Sequence, residues 1–303
     1  MAYIGTAIVR MAIGVATLAS AQTVVAADFG TGNGRASQSA EQWTVKLTPY
    51  GWLPFLQGDQ TIKGRTVEID VTPFQVLRNL DALPFMGYAE ANKGPLAIYS
   101  DIFYAKLGVS DSRAKSFAGL TAGVAVDVDF EQAVVELGGA YQIAKWPSGG
   151  GGSLKDHTSF AGYSAIDVLA GARYWRQDMA VNVGLTGTLD LNGLVVSGGR
   201  AIARGGSVDW IDPLVGLRVR HQLAPGQELM LRGDIGGFDI GSKFSWNVTG
   251  AYSFDIAVRH DVLWSGLLGY RALSVEFEKG SGLSRYEYDV LQHGPIMGLT
   301  AKF

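Results

Sequence analysis

Between Ala118 and Phe130 the chain alternates without a break. Ala118, Leu120, Ala122, Val124, Val126, Val128 and Phe130 are apolar, and the residues between them, Gly119, Thr121, Gly123, Ala125, Asp127 and Asp129, are small or acidic. A helix cannot sort these two sets, because residues two apart lie about 200° apart around its axis, whereas a strand sends them to opposite faces. The same period, punctuated by Gly, Pro, Asn and Asp, runs from Trp43 to Phe303. It predicts twelve strands at 43–53, 85–92, 96–108, 118–129, 132–145, 163–176, 179–190, 208–222, 227–238, 244–256, 262–277 and 287–303. After residue 28 no apolar run approaches the roughly 18 residues of a spanning helix.

The connections between these strands alternate in length. Short turns fall at Asn92–Pro95, Phe130–Gln132, Gln177–Asp178 and Ala224–Gly226, and longer ones at 54–84, 109–117, 146–162, 191–207 and 278–286. An even number of strands with short turns on one side and long loops on the other describes a single transmembrane antiparallel β-barrel of about 12 strands, with periplasmic turns, outer loops and both termini inside. Composition agrees: 41 glycines, 47% hydrophobic residues and only 17% charged ones in 303 residues. A soluble β-sandwich of this length would carry more surface charge. Cysteine is absent, and a sheet closed on itself needs no disulfide. The net charge of −3 speaks against nucleic acid as a partner and against electrostatic docking to anionic lipid.

Residues 1–27 read as a secretory signal, with Arg10 as the positive n-region and Met11–Ala19 as a short apolar core. Small-x-small cleavage sites end at Ala21 and Ala27, and the polar stretch that opens at Asp28 favours Ala27. Residues 28–42 then form a flexible arm and 43–303 the barrel. The last strand places Leu299, Ala301 and Phe303 on one face and Gly298, Thr300 and Lys302 on the other. Such a strand closing on Phe looks like the signal read by the barrel-assembly machinery, which with outer-membrane lipids completes the expected partners.

If apolar side chains face lipid, the opposite parity lines the lumen. The residues expected there are Lys46, Glu90, Asp101, Asp127, Glu136, Asp167, Arg173, Asn182, Arg218, Arg220, Arg232, Asp234, Asp255 and Arg271. A charge on the lipid face at mid-membrane would cost about 2–4 kcal/mol. The segment 208–222 sorts well, with Ile211, Pro213, Val215, Leu217 and Val219 on one face and Asp212, Arg218 and Arg220 on the other; around Arg271 the parity is less regular, and a bulge is expected. Seven acids and six bases nearly cancel, which fits a narrow water-filled pore or an ion-paired plug equally. Trp43, Tyr50, Trp52, Trp146, Tyr174, Trp175, Trp210, Trp246 and Trp264 fall near strand ends and are expected in two interfacial girdles. Within 54–84, Thr61–Thr72 can form a strand and Pro73–Leu80 a helical turn with Phe74, Leu77 and Leu80 on one side. That stretch reads as a loop with local structure, the alternative being a piece folded over or into the barrel mouth.

Chemistry is sparse. The four histidines, His157, His221, His260 and His293, have no metal-ligand spacing. The pairs Asp209/Asp212 and Asp127/Asp129 supply too few oxygens for calcium. His157 and Ser159 resemble the base and nucleophile of outer-membrane lipid A deacylases, but here they follow the Gly-rich run 147–153, where rigid positioning is not expected. Gly149–Gly152 lacks the Lys and Ser/Thr of a phosphate loop. No cofactor, metal or enzymatic activity is therefore expected.

Several segments together resemble a widespread family of uncharacterised bacterial outer-membrane barrel proteins: Pro49–Leu53, Ser100–Tyr104, Gly171–Trp175, Asp212–Arg218, Gly233–Ser242, Gly269–Arg271 and Gly294–Phe303. The resemblance covers most of the mature chain and implies a barrel and an outer-membrane address, with no activity attached. Within it, Gly233–Ser242 is either a shared functional segment or a tight turn that needs its glycines. The expected function is a narrow passive pore for small solutes or a structural surface protein. The alternatives are a lipid hydrolase using His157 and Ser159, and an adhesin or receptor acting through loops 146–162 and 191–207.

Overall fold

The computed structural model describes residues 42–62, 64–117, 120–148, 162–191 and 194–303. The expected signal segment, the arm before residue 42 and the His157–Ser159 pair lie outside them. The described elements are β1 (Thr44–Trp52), β2 (Phe55–Ile62), β3 (Arg65–Val71), a short helix α1 (Pro73–Arg78), β4 (Phe85–Lys93), β5 (Leu96–Phe117), β6 (Leu120–Ser148), β7 (Gly162–Leu191), β8 (Leu194–Ala224), β9 (Gln227–Gly236), β10 (Phe244–Arg259), β11 (Val262–Lys279) and β12 (Tyr286–Lys302). Strands β1 and β4 to β12 pair antiparallel in chain order, and β1 also pairs with β12, so ten strands close a barrel and two lie outside the ring. The seam runs from Lys46↔Lys302 to Trp52↔Ile296. Val45 and Phe303 seal its end with Val45 N donating to Phe303 O at 3.3 Å and Phe303 N to Val45 O at 2.9 Å.

The distribution of strands differs from the sequence reading in two ways. The turns expected at 130–132 and 177–178 do not form; β6 and β7 run straight through both places. The loop expected at 109–117 is strand instead, the outer half of β5, and of the one expected at 191–207 the described residues are strand too, Leu191 ending β7 and 194–207 forming the outer half of β8. Strand β4 leaves β5 at Phe85↔Tyr104, and β9 leaves β8 at Leu214↔Gly236. Beyond those points β5 to β8 continue as a four-stranded arm that rises from the rim. The 30 residues of β7 are roughly 100 Å of extended backbone, several times a bilayer's hydrocarbon thickness.

The connection between β6 and β7 was expected with the outer loops. Its flanks, Pro147↔Tyr163 and Ser148↔Gly162, instead lie at the end that carries both barrel termini. The tight turns at Gly94, Gly226 and His260–Asp261, all with positive φ, share that end.

At the opposite rim, β1 stops at Trp52 and β2 takes over its place beside β12, pairing from Phe55↔His293 to Ile62↔Tyr286. The break falls at Leu53–Pro54, which cannot continue the ladder. There Leu53 O sits 2.0 Å from where a Cβ on Gly294 would stand, so only glycine fits. Strand β3 folds back on β2, and α1 opens with a capping box between Thr72 and Gln75. A bridge at Leu80↔Leu107 then returns the chain to β5. Val76 is the helix residue that packs on the interior cluster. Phe74 and Leu77, expected on one side of the turn with Leu80, are exposed. The stretch is therefore a folded hairpin and helix that extend the wall and cover part of the mouth.

The outside of the ring is a hydrocarbon-like band. On β8 the exposed positions Ile211, Val215, Leu217 and Val219 cover nine residues, the span a tilted strand needs to cross a bilayer core. Ile98, Leu137, Val168, Leu231, Val248 and Leu268 continue the band around the barrel. Beyond it the outer face turns polar, with Asp209 exposed and Arg176 paired to Asp178 at 2.8 Å.

Candidate functional site: the barrel interior

The interior is built from the charges that the apolar outer face excludes. Glu136 on β6 stands opposite Arg173 on β7, and Arg173 donates to it from Nε at 3.1 Å and from Nη2 at 2.8 Å. Arg173 Nη2 also reaches Asp234 at 2.7 Å. Arg232 closes the square, with Nε on Asp234 at 3.0 Å and Nη2 on Glu136. Asn247 links this square to Arg271, donating to Asp234 at 2.9 Å and accepting from Arg271 Nε at 3.1 Å. Arg271 in turn holds Asp101 at 2.8 Å, which also accepts from Tyr50 at 2.7 Å. A second group sits toward the terminal end. Arg218 bridges Asp167, at 2.7 Å, and Glu90, Arg220 clasps Asp167 at 3.1 and 3.0 Å, and Lys46 approaches Glu90 at 3.8 Å. Tyr99 and Trp52 lie under Arg232 and Arg271 at 4.9 and 5.1 Å.

These side chains come from strands all round the ring, so the lattice spans the lumen. Arg173 is 0% exposed, Glu136 and Asp167 1% and Asp234 4%. A water-filled bore at this level would wet them; the interior is shut there. Burial on this scale is tolerable only because nearly every charge has a bidentate or multiple partner.

Above the lattice, toward the arm, the lumen is apolar. Trp210 stacks between Trp175 (5.5 Å) and Phe277 (3.9 Å), with Leu273, Val275 and Val290 packed around them. Asp212 accepts from Trp175 Nε1 at 3.0 Å and from Ser242 N and Oγ at 2.7 and 2.8 Å. It thereby pins the β9–β10 turn, in which Gly237, Phe238 and Asp239 have positive φ. The Gly233–Ser242 segment is thus the end of β9 followed by a turn locked onto the wall. Outside the band, Lys243 in that turn reaches Glu278 at 2.8 Å. The hydrogen bond from Lys243 and the nearby Arg285 charge hold the Glu278 carboxyl below its ordinary range. A belt of amides and phenols caps the aromatic layer: Gln292 donates to Gln132 at 3.1 Å and to Tyr288 at 2.9 Å, and Tyr286 donates to Gln177 at 2.5 Å.

Below the lattice, at the terminal end, the barrel is hollow. A cup of about 520 Å³ opens there. Lys46, Lys302, Glu228 and Asp255 stand on its wall, and Glu90, Arg218, Arg232 and Arg271 stand toward the lattice.

Of the residues expected in the lumen, the structure brings Glu90, Asp101, Glu136, Asp167, Arg173, Arg218, Arg220, Arg232, Asp234 and Arg271 into the lattice, with Lys46 at its edge. Asp255 stands apart on the cup wall, bonded to Ser265 at 2.7 Å. Asp127 and Asn182 are opposite each other in the arm, exposed, and on the parity of Leu137. With no turn at 130–132 to reset the alternation, Asp127 faces outward, and Phe130 packs on the interior cluster. No bulge occurs at Arg271; the shift in that hairpin lies at Asp255/Ala257. Parity looked irregular because Leu273, Val275 and Phe277, on the same face as Arg271, are apolar and inward. The same cause moves Tyr50, Trp52, Trp175 and Trp210 from the expected girdles to the interior, while Tyr174, Trp246 and Trp264 pair with outward positions. Tyr99 and Asn247 are not among the residues singled out from the sequence, Tyr50 is expected in a girdle instead, and Lys302 is named only for its face of the last strand. The alternation that places Lys46 and Asp255 inward reaches Tyr50 and Asn247 too.

Among the described residues no group of three or more His, Asp or Glu could hold a metal ion. No family model matches the chain, and no curated protein is a significant match. Solved structures do resemble it distantly. A Pseudomonas aeruginosa FadL homologue is 8% identical with a TM-score of 0.25, over 86% of this chain and 89% of that one. Pseudomonas aeruginosa OccK2 is 10% identical with a TM-score of 0.21, over 86% and 98%. The P. putida toluene transporter TodX is 10% identical with a TM-score of 0.23, over 86% and 89%.

Proposed function

We propose that this protein is an outer-membrane β-barrel held shut at mid-height, a surface structure that carries the β5–β8 arm outward and not a constantly open pore. The observation behind this reading is the lattice around Arg173, whose members come from opposite walls and exclude water. The apolar band faces lipid, and placing the terminal end in the periplasm leaves the arm on the cell surface. Strand β12, which closes the ring against β1, is the segment the assembly machinery would engage. No catalytic role is assigned: the flanks of His157 and Ser159 lie at the terminal end, away from any outer-leaflet substrate. A pore for small solutes is the second reading, favoured by the cup, but it requires the lattice to part. Planar-bilayer recordings on refolded protein decide between them. The closed barrel is expected to give no lasting unitary currents, and steady current steps from the unaltered protein would overturn it.

A further inference from the structure

Three buried arginines on the cup each leave one terminal nitrogen unused. Arg218 engages Nε with Asp167 and Nη1 with Glu90 and Tyr88. Arg232 engages Nε with Asp234 and Nη2 with Glu136 and Tyr99. Arg271 engages Nε with Asn247 and Nη1 with Asp101 and Tyr50. The remaining nitrogens, Nη2 of Arg218, Nη1 of Arg232 and Nη2 of Arg271, have no acceptor among the described residues. The three side chains keep 7%, 9% and 7% of their surface exposed, and all three line the cup.

The register sharpens this. Arg218 on β8 is directly opposite Arg232 on β9, and Lys46 on β1 is directly opposite Lys302 on β12. Like charges in directly opposed positions repel, and here one such pair stands at the inner end of the cup and another nearer its mouth. The acids on the cup are already occupied. Glu90, Asp101 and Asp167 hold the arginines, Glu228 accepts from Tyr163 at 2.6 Å and Asp255 from Ser265 at 2.7 Å. Lys302 has no ion-pair partner among the described residues. The surplus in the cup is one of donors.

We propose that the cup binds a small organic anion bearing a carboxylate or phosphate group. It enters past Lys46 and Lys302 and seats its oxygens on the free guanidinium edges of Arg218 and Arg232, a geometry suited to two-oxygen acceptors. Tyr88 and Tyr99, stacked at 6.2 Å, and Leu169 give its body an apolar wall. The inference rests on the closed-barrel reading, because the lattice is the floor that makes the cup a receptacle.

Calorimetry on the full refolded chain in a non-ionic detergent tests it, with benzoate, phenyl phosphate and neutral benzamide as probes. At least one anion is expected to bind saturably, one to one, with benzamide about tenfold weaker or worse, the loss of a charge-assisted contact. The pair Lys46→Gln with Lys302→Gln leaves the lattice in place and is expected to weaken anion binding several-fold; Arg218→Lys, which keeps the charge and removes the fork, weakens it further. The idea is overturned if protein shown to be folded by its heat-dependent electrophoretic shift binds neither anion, binds benzamide as well, or is unaffected by the paired lysine changes. Bilayer recordings separate the two readings. No binding in a silent barrel defeats this inference alone, whereas steady currents defeat the closed barrel and the receptacle with it.

Discussion

Arg173 meets Glu136 on one side and Asp234 on the other, fully out of contact with solvent. Arg173→Met should leave two carboxylates in a low-dielectric interior with one cation fewer, and the expected loss of stability is about 3–5 kcal/mol. A urea titration of refolded protein followed by tryptophan fluorescence measures it; an unchanged midpoint would mean that the lattice is not holding the interior. At this scale much of the site was readable. The rule that charges avoid lipid places Arg173, Arg218 and Arg232 correctly from period alone. It says nothing of who pairs with whom, because Glu136 and Arg232 lie far apart in sequence and meet only across the lumen. It also fails for Trp175 and Trp210, which are apolar yet inward. An interior sealed by aromatic packing reverses the assumption that grease points outward.

The two turns that do not form teach the element-scale lesson. Glu131 lies opposite Asp178, and Gln132 opposite Gln177, so the polar clusters that resembled turns are neighbours at one height of one sheet. They mark the level at which β6 and β7 leave the apolar band, where polarity appears on both faces at once. A turn and a change of surroundings give the same local composition. The strand break at Leu53–Pro54 is different, since proline states it outright. Gly294→Val is expected to prevent β1 and β2 from sharing β12. Little or none of this variant should show the heat-dependent electrophoretic shift of the native barrel, and recovery of a normal shifted band would refute the close approach of Leu53 O. The arm is only half legible: its β6 and β7 parts read as separate barrel strands at 118–129 and 179–190, while its β5 and β8 parts, with mixed Gly, Ser and Arg, look like loops when no partner strand is in view.

For the molecule as a whole, the apolar band is the feature that orders everything else, and the bilayer position proposed from it can be tested directly. Leu217→Arg puts a charge in the middle of the apolar band and is expected to cost about 2–4 kcal/mol in lipid vesicles. Asp209→Arg, eight residues nearer the arm on the same outward parity, should cost little. Equal effects of the two changes on unfolding in vesicles would show that the band is misplaced.

The seam carries a consequence for assembly. Strand β12 is the neighbour of β1 low on the wall and of β2 high on it, so both storeys wait for the same strand. Without it, Arg271 on β11 and Tyr50 on β1, which meet in the closed ring at 3.2 Å, stand on opposite edges of an open sheet. The ladder that completes the circle therefore also brings the two flanks of the lattice together across the lumen, so closing the ring and filling its middle are one event.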